Sequence, residues 1–163
     1  MPTVDAQLLI PFVHRIFEGH DVRSAVAQQV ARSLVLSNLK GHDSHGIIRV
    51  IQYVDWLHRG WINLEAELQI LLEDGAILMT DGQYGFGQYI GRQATNKAIQ
   101  RTRDIGACIL TLRHSAHLGR IGEFAELAAE AGLVHLSFTN VNGGGVLVAP
   151  HGGRERRLGA NPV

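Results

Sequence analysis

Apolar residues in the first sixty positions recur every three to four residues, the spacing that gathers them on one face of a helix. Val4, Leu8, Leu9, Phe12, Val13, Ile16 and Phe17 form the first stripe, predicting a helix over 4–17 that Gly19 ends. Asp21 is placed to cap a second helix reaching about Asn38, with Val22, Ala25, Val26, Val30, Leu34 and Val35 on one face and Lys40-Gly41 closing it. Asp43 or Ser44 opens a third helix, whose stripe is Ile47, Ile48, Ile51, Val54 and Leu57 and whose stop is Gly60.

Beyond that point the period shortens. Leu68–Leu72 and Ala76–Met79 are β-rich runs flanking Asp74-Gly75, a hairpin signal. Tyr89–Thr102 reads as a helix, Ala107–Leu112 as a buried strand, Ile121–Ala131 as a helix and Leu133–Thr139 as a second buried strand. That strand–helix–strand order predicts parallel pairing through a right-handed crossover. The expected fold class is α/β, with a helical segment over 1–64 followed by part of a mixed-sheet domain over 65–163. The closing residues RRLGANPV hold no finished element, and Asn161 before Pro162 is pushed toward extended geometry. The expectation is a chain that stops inside a larger fold.

Composition narrows the function. The 163 residues suffice for one ordinary core. Lys+Arg and Asp+Glu are both 15, so no basic stripe is available for nucleic acid. No apolar run approaches the roughly 18–20 residues of a membrane span. Asp5 and the lack of a basic region before the first apolar residues argue against a signal peptide. Cys108, the single cysteine, has no partner for an intrachain disulfide, which suits a reducing cytoplasm.

Two glycine clusters resemble phosphate cradles only in part. Gly85-Phe86-Gly87-Gln88-Tyr89-Ile90-Gly91 is one residue longer than the dinucleotide fingerprint and follows a weak strand, so it reads as a turn into the next helix. Asn142-Gly143-Gly144-Gly145 leads into Val146-Leu147-Val148 and lacks the lysine of a P-loop. Close approach of its backbone to a ligand stays open.

The nine histidines carry the chemistry. His14, His20, His58 and His135 read as structural or exposed. His42 and His45, then His114 and His117, form two H-x-x-H pairs. Four imidazoles could hold zinc, but zinc pairs on one helix usually sit four apart, and no nearby Cys, Asp or Glu completes either pair; no metal is expected. Asp43-Ser44-His45 as a hydrolase triad is opposed by the divergent directions of adjacent side chains. His45 and Arg49, by contrast, are four apart and share a face of the expected third helix. Arginine offers a fork for a carboxylate and histidine a proton near neutral pH. Such a pair suits a carboxylate bearing an adjacent carbonyl or hydroxyl.

Gly41 to Arg49, G-x-D-S-H-G-x-x-R, resembles the signature of the malate/L-lactate dehydrogenase family, which lies outside the Rossmann class. The resemblance continues in order through Gly85-Phe86-Gly87-Gln88, Arg113 to Gly119, Ala128 to Leu133, Thr139-Asn140, Ala149 to Arg154 and Leu158 to Pro162. It implies a non-Rossmann dinucleotide-binding domain and an NAD- or NADP-dependent oxidoreductase. The reaction would interconvert a small 2-hydroxy acid and its 2-oxo acid, or a cyclic amino acid and its imine. Homodimers are typical. By position, His45 resembles the proton donor and acceptor, Ser44 its relay partner, and Arg49 the ligand of the substrate carboxylate. His117, Leu118, Gly119, Arg120 and Ile121 resemble the cofactor-contacting loop. In some members the histidine matching His117 is the general base, so two histidines compete for that role. Ala160 stands where the family carries a substrate-contacting threonine, which removes one hydroxyl. Members are longer, and their remaining part supplies the relay aspartate and further nicotinamide contacts. Two other readings stand beside this one: a metal-dependent lyase or hydrolase, and a non-catalytic domain that dimerises.

Overall fold

The computed structural model describes residues 4–140 and 148–157. They belong to two compact units, Met1–Leu133 and Val134–Val163.

The first unit begins with α1, Ala6–Glu18, whose first turn is capped by the Asp5 carboxylate accepting from the Gln7 N–H at 2.8 Å. Val13 and Phe17 are its fully buried residues, while Leu8 and Phe12 of the expected stripe stay exposed. α2, Ser24–Leu39, buries Val26, Ala27, Val30, Ala31, Leu34 and Val35. Asp21 does not cap it. That residue has φ 62° in the turn that leaves α1, and Arg23 occupies the N-cap position. The Arg23 guanidinium reaches Glu67 at 2.5 Å and the Ala66 carbonyl at 3.0 Å.

The third helix departs further from expectation. Asp43–His45 is a single 3-10 turn, a second turn covers 46–48, and α3 runs only over Arg49–His58. The extra turns shift the helical phase. Tyr53 becomes the buried residue, with Val50, Val54 and Leu57 packed around the core, while Ile48 and Ile51 of the expected stripe are exposed. Phe17, Tyr53 and Phe86 meet at the centre, with ring centroids 5.7–6.4 Å apart. Truncating Phe17, which is 0 % exposed, would cost roughly 3–5 kcal/mol.

The hairpin forms as expected. β1, Gln69–Asp74, pairs antiparallel with β2, Ile77–Asp81, with Asp74 opposite Ile77 across the turn and a bulge between Ile70 and Leu72. α4, Gly87–Ile105, then carries the chain to β3, Ile109–Arg113, parallel to β2 with Ile77 opposite Ile109. The parallel crossover is therefore β2–α4–β3. After β3 comes α5, Gly122–Glu130, tied to α2 through Glu123, which accepts from Gln29 at 3.0 Å and from the Ser33 hydroxyl.

Residues 133–140 form no strand, contrary to the expected β pairing after α5. Their alternation fits a strand, but no partner pairs them among the described residues, and Val134 is fully exposed. β3 is likewise not the buried strand that its apolar run suggests. The sheet packs one face inward through Leu78 and Thr80 and leaves Ile77, Met79 and Ile109 exposed on the other. The second unit is irregular where described, with a turn at 150–153 and the Arg157 N–H bonded to the Val148 carbonyl at 3.0 Å.

Candidate active site

Two segments far apart in sequence converge here. One is the turn from His42 to Arg49; the other is the loop from His114 to Ile121, which leaves the carboxyl end of β3, where α/β sheets commonly bind ligands. The second histidines of the two pairs meet. His45 and His117 stack with ring centroids 5.3 Å apart and an interplanar angle of 23°.

The His45 turn is set by Asn38, at the end of α2. Its side-chain oxygen accepts from the Ile47 N–H at 2.8 Å, and its amide donates to Asp43 at 2.6 Å. Gly46 is buried against this side chain, and a methyl group added there would collide with the Asn38 amide. Ser44 Oγ lies 2.9 Å from His45 Nδ1. Adjacent side chains thus meet after all, because the 3-10 turn folds them together. Asp43 points to Asn38 instead, so no Asp-Ser-His triad forms within the turn.

Arg49 is not a helix-face neighbour of His45, since His45 lies in the 3-10 turn and Arg49 begins α3. It is drawn in another way: Arg49 Nε donates to the Ser44 carbonyl at 2.6 Å and Nη1 to Gln52 at 2.7 Å. Its charge reaches both imidazoles. His45 is lowered from its ordinary value by burial first, then by Arg49 and His42. His117 is lowered to about 4, again by burial, then by Arg49 and His45. His117 is therefore neutral at pH 7.

His117 Nδ1 lies 2.7 Å from the Tyr53 hydroxyl, and Gln88 Nε2 donates to that hydroxyl at 2.6 Å. Tyr53 is 1 % exposed, and burial pushes its phenol up to about 12. The glycines of the Gly85–Gly91 run, with Gly119 of the facing loop, allow close packing here. A methyl group on Gly87 would lie 2.6 Å from the Ala116 carbonyl oxygen, one on Gly91 would meet the Phe124 ring, and one on Gly119 would lie 3.1 Å from Gln88 Nε2. Carbonyl oxygens over Gly87 present the wrong polarity for a phosphate, so this run is a close-packing surface.

In the loop itself, Gly119 has φ 78° and Arg120 is buried, its guanidinium engaged by Glu126 at 2.7 and 2.9 Å. Among the described residues, none of the backbone N–H groups from His117 to Ile121 has a partner. His114, the first histidine of its pair, has φ 49°, bonds Asp81 at 2.9 Å and stacks on Tyr84. Asp81 is held at about 2 by the Gln83 N–H and by Arg113 and His114. Among the described residues, no three His, Cys, Asp or Glu side chains are arranged to hold a metal, and no helix is long and apolar enough to cross a membrane. Ala160 and the Asn142–Gly145 cluster lie outside the described residues.

Asn38, Tyr53 and Gln88 are the site residues that sequence reasoning passes over. Gln88 sits in a motif quoted for its glycines, and a tyrosine inside an apolar helix stripe reads as core. The signal for Tyr53 is its hydroxyl, which needs a buried partner.

The sequence model of the malate/L-lactate dehydrogenase family matches residues 4–163. An L-lactate dehydrogenase of Cupriavidus necator is 42 % identical over 148 residues, covering 91 % of this chain and 42 % of its own length. A malate dehydrogenase of Pyrococcus abyssi is 39 % identical over 155 residues, covering 95 % of this chain and 42 % of its own. The solved malate dehydrogenase of Pyrococcus horikoshii superposes with a TM-score of 0.89 at 35 % identity, over 99 % of this chain and 45 % of that one. The chain thus spans a little under half the length of these relatives.

Proposed function

Given that the chain belongs to the malate/L-lactate dehydrogenase family, we propose that it forms the proton-handling half of an NAD- or NADP-dependent oxidoreductase. The substrate is a small 2-hydroxy acid and its 2-oxo acid, or a cyclic amino acid and its imine. The observation that carries this reading is the His45–His117 stack within reach of the Arg49 charge, which sets two titratable rings beside a guanidinium suited to a carboxylate.

Arg49 binds the acid's carboxylate and so aligns its carbonyl with the two imidazoles. His45 gives its proton to the carbonyl oxygen on reduction and takes it back on oxidation, with Ser44 at Nδ1 orienting the ring. His117 donates a hydrogen bond to the same oxygen. A nicotinamide cofactor, when bound, supplies the hydride. The loop fits such a group: the N–H groups from His117 to Ile121, without partners among the described residues, are donors suited to a pyrophosphate or carboxamide. Arg120 contributes backbone there, because its side chain is committed to Glu126. A homodimer in the cytoplasm belongs to the same reading; the exposed Leu8 and Phe12 of α1 and the single unpaired thiol are consistent with it.

The test is a chimera joining residues 1–163 to the remaining part of the P. horikoshii relative. It is assayed with a panel of 2-oxo acids and cyclic imines against NADH and NADPH. Acid-dependent oxidation of either cofactor is expected. No turnover with any pair, under conditions where the relative itself is active and the chimera is folded, overturns the reading.

A further inference from the structure

Tyr53 and Gln88 form a buried hydrogen-bonded line that ends on one nitrogen of His117. Each link limits the next. Gln88 Nε2 is a donor, so the Tyr53 oxygen accepts from it. The Tyr53 proton is then free to point only along its other bond, toward His117 Nδ1. An Nδ1 that accepts carries no proton of its own, so the neutral ring must be protonated at Nε2.

The orientation of the Gln88 amide decides the direction of the whole line. As it stands, Gln88 Oε1 is buried without a partner. One of the two amide N–H hydrogens also has no acceptor among the described residues; turned over, the amide would accept from Tyr53 and leave both of them without one. Orphaned N–H groups are rarer in proteins than under-satisfied carbonyls, so the observed orientation is the better one. The elements around the line hold it rigid. Phe17 and Phe86 pack edge-on or tilted against the Tyr53 ring, Trp56 stacks on it at 5.5 Å, and Gly119 closes over Gln88.

We infer that Tyr53 and Gln88 are positioning residues that hold His117 as its Nε2-protonated tautomer, so that it meets the substrate oxygen as a hydrogen-bond donor and not as a base. This rests on the dehydrogenase reading for its consequence, though not for its geometry. It divides the work between the two stacked rings. His45, whose Nδ1 faces an exposed serine hydroxyl, exchanges the proton; His117 polarises the carbonyl and returns to the same state after turnover. The phenol held up near 12 stays a donor at every working pH, and the lowered His117 stays neutral.

The tautomer can be read on the 163-residue chain without any activity. Long-range proton–nitrogen correlation spectra of ¹⁵N-labelled protein distinguish the two neutral tautomers, and His117→Gln identifies the His117 signals. A single Nε2–H tautomer at pH 7 is expected in the unmodified chain. Tyr53→Phe removes the donor to Nδ1 and Gln88→Met removes the group that orients it; each is expected to give a mixture of tautomers while the backbone amide spectrum is kept. An Nδ1–H tautomer in the unmodified chain overturns the inference, even if neither variant folds. So does an unchanged tautomer in a folded Tyr53→Phe protein. Because none of these outcomes depends on turnover, failure of this inference and failure of the dehydrogenase reading are separate results.

Discussion

His42-x-x-His45 and His114-x-x-His117 have the same spacing and comparable flanking residues, yet the fold treats them differently. The first pair lies in a polar turn braced by Asn38, and His45 keeps an exposed serine as its partner. The second leaves a strand end through a strained residue, His114 at φ 49°, and delivers His117 onto a buried phenol. One histidine in each pair is spent on the scaffold or the solvent, the other on the site. Spacing alone therefore does not say what a histidine does; its partner at Nδ1 does. On the proposed reading, a hydroxyl near solvent leaves His45 able to trade protons, and a desolvated phenol fixes the tautomer of His117.

The sharpest way to break this contrast is to exchange the fates of His45 and His117 in a catalytically complete chimera. His45→Ala should lower kcat by roughly 10²–10⁴ with KM little changed. If His45 delivers the proton, kcat/KM for the oxo acid should fall as pH rises through a value lowered from that of an ordinary histidine. Steady-state kinetics across pH check both. If His117→Ala abolishes turnover while His45→Ala leaves it nearly intact, the roles are reversed.

The second contrast is in stability. The folded chain refuses a proton at His117 down to about 4, whereas the unfolded chain accepts one near 6.5. The unfolded state therefore binds more protons between these values, and stability falls as pH drops from about 6.5 to about 4. The loss from this residue should be on the order of 3 kcal/mol. Urea midpoints for the unmodified protein and His117→Gln should converge on acidification, since the glutamine has no such titration.

Smaller effects follow from the arginine and the idle histidine. Arg49→Lys keeps the charge but loses the planar fork, so KM for the acid should rise roughly tenfold, more than kcat falls. Lysine binding as well as arginine would place the carboxylate elsewhere. His114→Ala should change turnover by less than about threefold, because that ring serves Asp81 and Tyr84. A loss as large as that of His45→Ala would make the two pairs equivalent after all.

Much of this arrangement is legible in the sequence. α1, α2, the hairpin about Asp74-Gly75, α4 and α5 follow from periodicity and turn chemistry, and the motif from Gly41 to Arg49 holds residues that the fold brings together with His117. What fails is phase and pairing. The run from Asp43 to Leu57 is continuous in pattern, but Gly46 and the Asn38 clasp break it into a 3-10 turn, a second turn and a helix, which rotates Tyr53 inward. His45 and Arg49 remain neighbours for a reason that helix spacing does not supply, namely the bond from Arg49 to the Ser44 carbonyl. The strand expected over 133–139 has the right alternation, but a strand also needs a partner, and partners are not written in local pattern.

The clasp of Asn38 has a consequence for ligand encounter. One side chain fixes both ends of the turn that holds Ser44 and His45, and Gly46 leaves no slack beneath it. Ordering a free backbone residue costs about 1–2 kcal/mol. For this turn that ordering is completed when α2 docks, so on the proposed reading an arriving acid meets a turn whose ordering is already complete. Association should then be limited by diffusion and desolvation more than by loop closure, and Asn38→Ala should slow the approach to equilibrium while leaving every group that touches the ligand in the sequence.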